Sequence, residues 1–256
     1  MTVFRCSLVR TFAVLALLLT VGCSAPNAEK VPTYAATLAV ASNFRPAMEH
    51  LKAEFEQETG YTLSVSYGAT GQFFAQIQSG APFDVFLAAD TLRPSLLQGI
   101  GTTPRTYAIG QLALWSPVKE PVSSNTLNAP DIRHIAMANP DLAPYGTAAL
   151  DVINHLGIRD DVTNKLVRGE NVGQAFVFAQ TGNADLGFVA LSQILALPEN
   201  ERGAYWLPSS IDYAPIRQDA LLLDRGRENA AATSFFDFLY GERAREIIAN
   251  SGYKLP

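Results

Sequence analysis

The sequence predicts an α/β protein of two lobes, each a mostly parallel sheet flanked by helices, with two strands linking the lobes. Three observations lead there. Short apolar runs alternate with amphipathic stretches of helical period, the pattern of β–α units. The same alternation appears in both halves of the chain. Two further apolar segments, Leu112 to Trp115 and Ile216 to Leu223, read as strands that cross between lobes. A chain that leaves the first lobe once and returns once places residues 35–113 and 213–256 in one lobe and 114–212 in the other.

The leading residues stand apart from this fold. Arg5 and Arg10 flank an uncharged apolar run from Thr11 to Val21, shorter than the roughly 20 residues a bilayer span needs, so it reads as an export signal. Leu19-Thr20-Val21-Gly22-Cys23 resembles a lipoprotein signal, in which a small residue precedes the cysteine that is lipidated; Thr20 departs from the leucine usual there. Residues 1–22 are therefore expected to be removed and 23–34 to form a tether, Ser24 to Thr33 carrying Pro26 and Pro32. Two alternatives compete: an uncut anchor in which Cys23 is an ordinary residue, and soluble release by cleavage further on, although no alanine-x-alanine site stands out before Tyr34. Every route puts the working protein outside the cytoplasm, in the periplasm or cell envelope.

The 256 residues include 19 basic and 24 acidic side chains, a net charge of −5, and loss of Arg5 and Arg10 with the signal lowers it further. Such a balance argues against nucleic acid as partner, because phosphate neutralisation needs clustered Lys and Arg. Of the cysteines, Cys6 leaves with the signal, so the mature domain holds no disulfide and relies on its core.

In chain order, Thr37 to Ala41 is a buried strand. Phe44, Met48, Leu51 and Phe55 then recur at helical spacing, with Pro46 suited to a first turn and Gly60 ending the element. Tyr61 to Tyr67 alternates as a strand, Gly68 to Gly71 is a tight turn, and Phe73, Phe74 and Ile77 mark a helix ending at Gly80. Asp84 to Ala88 is again a strand. In the second half, a strand at His134 to Ala138 leads through the loop Asn139 to Gly146 into a helix from Thr147 to Leu156. A helix from Val172 to Gln180 and a strand from Leu186 to Leu191 follow, and the last helix, Ala231 to Tyr240, rejoins the first lobe.

Four strand-to-helix junctions share one character: Ser42-Asn43, Gly68-Ala69-Thr70-Gly71, Pro144-Tyr145-Gly146-Thr147 and Glu170-Asn171-Val172-Gly173. Each offers unpaired backbone N–H groups at a helix start, where the dipole favours an anion. In open α/β sheets ligands bind beyond the carboxyl ends of the strands, so the four are expected to converge. Thr70 and Ser42 add hydroxyl donors, and glycines 68 and 71 allow close backbone approach. None of the four needs a Lys or Arg on the anion. A fully deprotonated dianion suits such neutral dipoles, whereas a protonated phosphate would need an acceptor for its own hydrogen. Glu170, the one nearby acid, is expected to point away.

Taken singly, each junction has an ordinary explanation: Ser42 and Asn171 are good helix caps, and the glycine-containing turns are common. Their recurrence favours binding. His50, His134 and His155 are scattered and read as surface or packed histidines, Phe73-Phe74 and Phe235-Phe236 as core, and Arg217 with Asp219 as a structural pair. No nucleophile elbow, phosphate loop or His-Glu-x-x-His is present, so an enzyme lacks its usual signals.

At the level of motifs the chain resembles the periplasmic molybdate-binding proteins of ABC transporters. The resemblance runs from about Thr37 to the C-terminus through Ala41-Ser42-Asn43-Phe44, Tyr67-Gly68-Ala69-Thr70-Gly71, the run from Gly80 to Asp90, Ala138-Asn139-Pro140 with Ala143-Pro144-Tyr145-Gly146, and the run from Gly182 to Ala190. It implies a two-lobed periplasmic-binding-protein fold of type II, with molybdate or tungstate held dehydrated in the cleft, no cofactor, a permease and its ATPase as partners, and a monomer tethered through Cys23 if that residue is lipidated. By position, Ser42 and Thr70 would donate hydroxyl and backbone hydrogen bonds, Asn43 would add a donor beside Ser42, and Tyr145 and Val172 would donate backbone N–H groups. Ala190 stands where one branch of the family has a tyrosine, and Asn43 is expected to substitute for that hydroxyl. Thr70 stands where serine is commoner. Sulfate, phosphate or another tetrahedral oxyanion, or anion sensing without transport, are the competing readings.

Overall fold

The computed structural model describes residues 34–118 and 121–256. The export signal, Cys23 and the tether Ser24 to Thr33 lie outside the described residues. In the first half come β1 (Ala35–Ala41), α1 (Arg45–Thr59), β2 (Thr62–Gly68), α2 (Thr70–Gln78), β3 (Val85–Leu87), α3 (Leu92–Ser95) and β4 (Arg105–Gly110). Next are β5 (Leu112–Ser116), β6 (Ile135–Ala138), α4 (Pro144–His155), α5 (Arg159–Val162), β7 (Leu166–Gly169), α6 (Val172–Gln180), β8 (Leu186–Ala190), α7 (Leu191–Leu195) and β9 (Ala204–Trp206). The chain closes with β10 (Ile216–Leu222), α8 (Ala230–Phe238) and α9 (Glu242–Asn250).

Two five-stranded sheets result, ordered β2-β1-β3-β10-β4 and β7-β6-β8-β5-β9. In each, one strand runs against the rest: β10 pairs antiparallel with β3 and β4, and β5 with β8 and β9, while the other pairings are parallel. The reversed strand is in both cases the one that has just arrived from the other lobe. The outgoing crossing is therefore the single residue Gln111 between β4 and β5, and the return lies between Trp206 and Ile216.

Both sheets are buried on two faces, which is why their strands read as continuous apolar runs. Along β1, Leu38 and Val40 join Phe44, Met48, Leu51 and Phe55 of the first helical stretch and Phe235 of α8. Ala39 faces the other way, with Phe73, Ile77, Phe86 and Leu221. Each such buried Leu or Phe contributes about 1.5–3 kcal/mol. The second sheet repeats the scheme: Leu112, Leu114, Met137 and Phe188 pack with Val152 and Ile153 of α4, and Ala113, Trp115 and Val189 with Ala179 of α6. Trp115 stacks on Phe176 with centroids 4.8 Å apart.

Several elements depart from the sequence expectation. The helix expected from Thr147 begins at Pro144, because proline at the first helical position lacks only an N–H that would be unsatisfied anyway. The strands β4, β7 and β9 and the helix α9 were not anticipated. β7 is four residues long and mostly half-exposed, so it has no apolar run, and α9 buries only Ala244 and Ile248 beside the charged Glu242, Arg243, Arg245 and Glu246. Arg217 and Asp219 do not pair directly; both meet the Thr106 hydroxyl, at 3.4 and 2.7 Å.

Candidate functional site

Strand register brings the junctions together. Ala41 lies level with Gly68 across β1 and β2, so Ser42 and Thr70 leave the first sheet side by side. Ala138 lies level with Gly169 across β6 and β7, so the loop into α4 and the turn into α6 leave the second sheet together. Ser42, Asn43, Thr70, Tyr145 and Val172 all line one small cavity between the lobes, with about 180 Å³ of empty space. Its remaining lining is Ala41, Gly68, Ala69, Ala89, Ala143, Pro144 and Asn171, so no ionised side chain borders it.

The donors are set by the fold. Thr70, Tyr145 and Val172 lie in the first turns of α2, α4 and α6, where N–H groups have no intrahelical acceptor and the dipoles add positive potential. The Thr70 hydroxyl oxygen accepts the Ala89 N–H at 2.9 Å, which leaves its own hydrogen free to donate. The Ser42 oxygen accepts the Gly173 N–H across the lobe boundary at 3.2 Å, with the same consequence. Asn171 serves as the helix cap expected of it, accepting from Gln174 N at 3.0 Å, whereas Ser42 does not cap its own helix. Glu170 is exposed and reaches Gln72 Nε2 at 3.3 Å.

Asn43 behaves differently from the sequence expectation. Its side-chain amide donates to Gln218 Oε1 at 2.9 Å and to the Tyr253 hydroxyl at 3.0 Å. Both amide hydrogens are thus spent away from the cavity, and the backbone N–H is what Asn43 can offer an anion.

Behind the cavity, Asn43 opens into a buried polar cluster that sequence reasoning missed. The Tyr253 hydroxyl donates to Asn43 O at 2.8 Å, and Ser192 of the second lobe meets both Asn43 O and the Tyr253 hydroxyl at 3.0 Å. The Tyr107 hydroxyl sits 3.0 Å from Gln218 Oε1 and from Ala88 O. Burial pushes the Tyr107, Tyr145 and Tyr253 phenols well up from their usual range, so they stay neutral. Tyr145 Oη and Gln218 Nε2 are buried against Gly110 and face each other without a well-aligned hydrogen bond; a Cβ on that glycine would stand 2.2 Å from the Tyr145 oxygen and 2.6 Å from Gln218 Nε2. The one signal for this cluster was the polar Arg217-Gln218-Asp219 inside an otherwise apolar strand.

Two larger grooves flank the cavity, with about 860 and 1120 Å³ of empty space. Asp90, Arg93, Asp151 and Arg217 border one and Arg45 the other. Neither has the size or the neutrality to replace the hydration shell of a small dianion. Among the described residues no cluster of His, Cys, Asp and Glu could hold a metal ion, and all three histidines are exposed.

The chain and its fold are shared with known proteins. Residues 36–254 match the family described as bacterial extracellular solute-binding protein. The chain is 43% identical to the molybdate-binding protein ModA of Azotobacter vinelandii, over 85% of this chain and 89% of that one. It is also 43% identical to ModA of Rhodobacter capsulatus, over 84% of this chain and 86% of that one. Among solved structures, the Azotobacter vinelandii periplasmic molybdate-binding protein superposes with a TM-score of 0.82 at 39% identity, covering 86% of this chain and 99% of that one.

Proposed function

Since the chain belongs to the bacterial extracellular solute-binding proteins and, among them, to the ModA molybdate-binding proteins, we propose that it captures molybdate, and tungstate with it, outside the cytoplasm and delivers the anion to an ABC permease driven by an ATPase. The role is binding and delivery, not catalysis. The observation that carries the ligand reading is the small interlobe cavity, bordered by three helix N-termini and two hydroxyls and by no ionised group. A dianion there meets donors only. A protonated phosphate would present a hydrogen with no carboxylate to accept it.

In this reading Ser42 and Thr70 donate through hydroxyl and backbone, Asn43 through its backbone, and Tyr145 and Val172 through backbone N–H groups from the opposite lobe. Because both lobes contribute donors, the anion favours the closed form over the open one. Selectivity against sulfate follows from size: a smaller oxyanion leaves donors unpaired, and each buried unpaired donor costs about 1–3 kcal/mol. Removal of residues 1–22, lipidation of Cys23 and a monomeric state complete the proposal, with residues 23–34 as tether and no cofactor.

The test is calorimetric titration of the processed protein with molybdate, tungstate, sulfate and phosphate at neutral pH. Tight binding of the first two is expected, with sulfate weaker by at least roughly thirty-fold if two donors are lost. Preference for sulfate or phosphate would overturn the ligand and keep the fold; binding of none would overturn the function.

A further inference from the structure

Beyond the anion shell, two successive carbonyls of the second lobe are gripped by donors of the first. Gly71 N donates to Leu142 O at 2.9 Å, and Arg93 Nη2 donates to Asp141 O at 3.0 Å. Arg93 is itself held in place: its Nη1 is paired with Asp90 Oδ2, and its backbone N–H donates to Asp90 Oδ1 at 3.0 Å. The fit is close, since a Cβ on Gly71 would lie 3.0 Å from Leu142 O and 3.3 Å from Arg93 Nη2.

The gripped segment has a built shape. Asn139 O accepts the N–H groups of Leu142 and Ala143 at 3.1 and 2.9 Å, and Asn139 N is anchored on Gly169 O at 2.7 Å. This turn runs straight into α4, whose second residue is Tyr145. Whatever fixes Asp141 and Leu142 against the first lobe therefore fixes the Tyr145 N–H over the cavity. Arg93 is absent from the cavity lining and reaches the turn instead.

We propose that Arg93 is a positioning residue for anion capture: braced by Asp90, it latches the turn Asn139–Ala143 of the opposite lobe and so holds the Tyr145 N–H in the closed shell. The inference rests on the proposed oxyanion function. A latch that forms only after the lobes meet slows escape of the anion and leaves its arrival unaffected. A cation acting through its field would instead speed arrival, an effect that tracks charge rather than geometry.

The two roles separate in the variants Arg93→Met, which removes charge and latch, and Arg93→Lys, which keeps the charge but cannot bridge Asp90 and the Asp141 carbonyl with one planar group. Association and dissociation of radiolabelled molybdate are measured by rapid filtration, with excess unlabelled molybdate as the chase. The expected result is dissociation about ten-fold faster in both variants, the loss of one charge-assisted hydrogen bond, with association within about two-fold of the parent. The Asp90 pair is only 17–21% exposed, so Arg93→Met should also lower the unfolding stability of the anion-free protein, whereas Arg93→Lys, which keeps a charge beside Asp90, should lower it less. Slower association in Arg93→Met, restored in Arg93→Lys, with normal dissociation in both, would overturn the latch in favour of attraction. Unchanged rates in both would overturn it outright. If Arg93→Met does not fold, Arg93→Lys alone decides, because its dissociation rate must still rise. Failure of the parent protein to bind molybdate would remove the function and the latch together, whereas a parent that binds and variants that match it remove only the latch.

Discussion

Replacing Thr70 by valine tests the site most directly, because the two side chains have nearly the same shape and differ by a hydroxyl against a methyl. The Thr70 oxygen has two jobs in the closed protein. It accepts the buried Ala89 N–H at 2.9 Å, and its hydrogen is left for the cavity. Thr70→Val therefore leaves the Ala89 N–H without a partner in the free and the loaded protein alike, which should cost about 1–3 kcal/mol of folding stability. It also removes one hydrogen bond to a charged ligand, about 1.5–3 kcal/mol, or roughly ten- to a hundred-fold in affinity. The first effect is read by urea unfolding without anion and the second by titration calorimetry with molybdate. Thr70→Ser, which keeps the hydroxyl, should show little of either. If Thr70→Val lost stability as expected but bound molybdate like the parent, the hydroxyl would be a structural cap on Ala89 and its donation to the anion would be refuted.

Val172 is the first residue of α6 and follows an extended Asn171, a position where proline fits the helix, so Val172→Pro should fold normally while losing the N–H; calorimetry should show molybdate binding weakened by roughly ten-fold or more. The buried phenols of Tyr107, Tyr145 and Tyr253 titrate far above an unfolded tyrosine, whose pKa is about 10, so above that pH the unfolded chain sheds protons that the folded one retains. Folding stability should accordingly be fully present below about pH 10 and fall as the pH rises beyond it, a trend that urea unfolding at about pH 8 and about pH 11 would reveal, and a flat response would contradict their burial.

Much of the architecture could be read directly from residue order. Apolar periodicity located β1, the helix carrying Met48, Leu51 and Phe55, and α6, because each buries a long face and so carries a regular signature. The recurrence of glycine, hydroxyl and cap residues picked out four helix starts, and the strand register brings those four junctions to one cavity. The half-exposed β7 carried no such pattern. The start of α4 was misplaced because Pro144 and Gly146 read as a loop when seen without the strand register that makes them a helix N-terminus.

What the chain order by itself determined, then, is which segments fold and which backbone groups are left unpaired, because both follow from local periodicity and local chemistry. What only the tertiary structure decided is how side chains distant in sequence divide the work. The Asn43 amide is consumed by Gln218 and Tyr253, 175 and 210 residues away, and the Ser42 oxygen by Gly173, 131 residues away. The contact of Arg93 with Asp141 O likewise joins groups of the two sheets' loops, 48 residues apart in sequence. Hydrogen bonds saturate after one or two partners, so a donor's availability depends on every group that folding brings within about 3 Å of it, and those neighbours are set by how the two sheets meet.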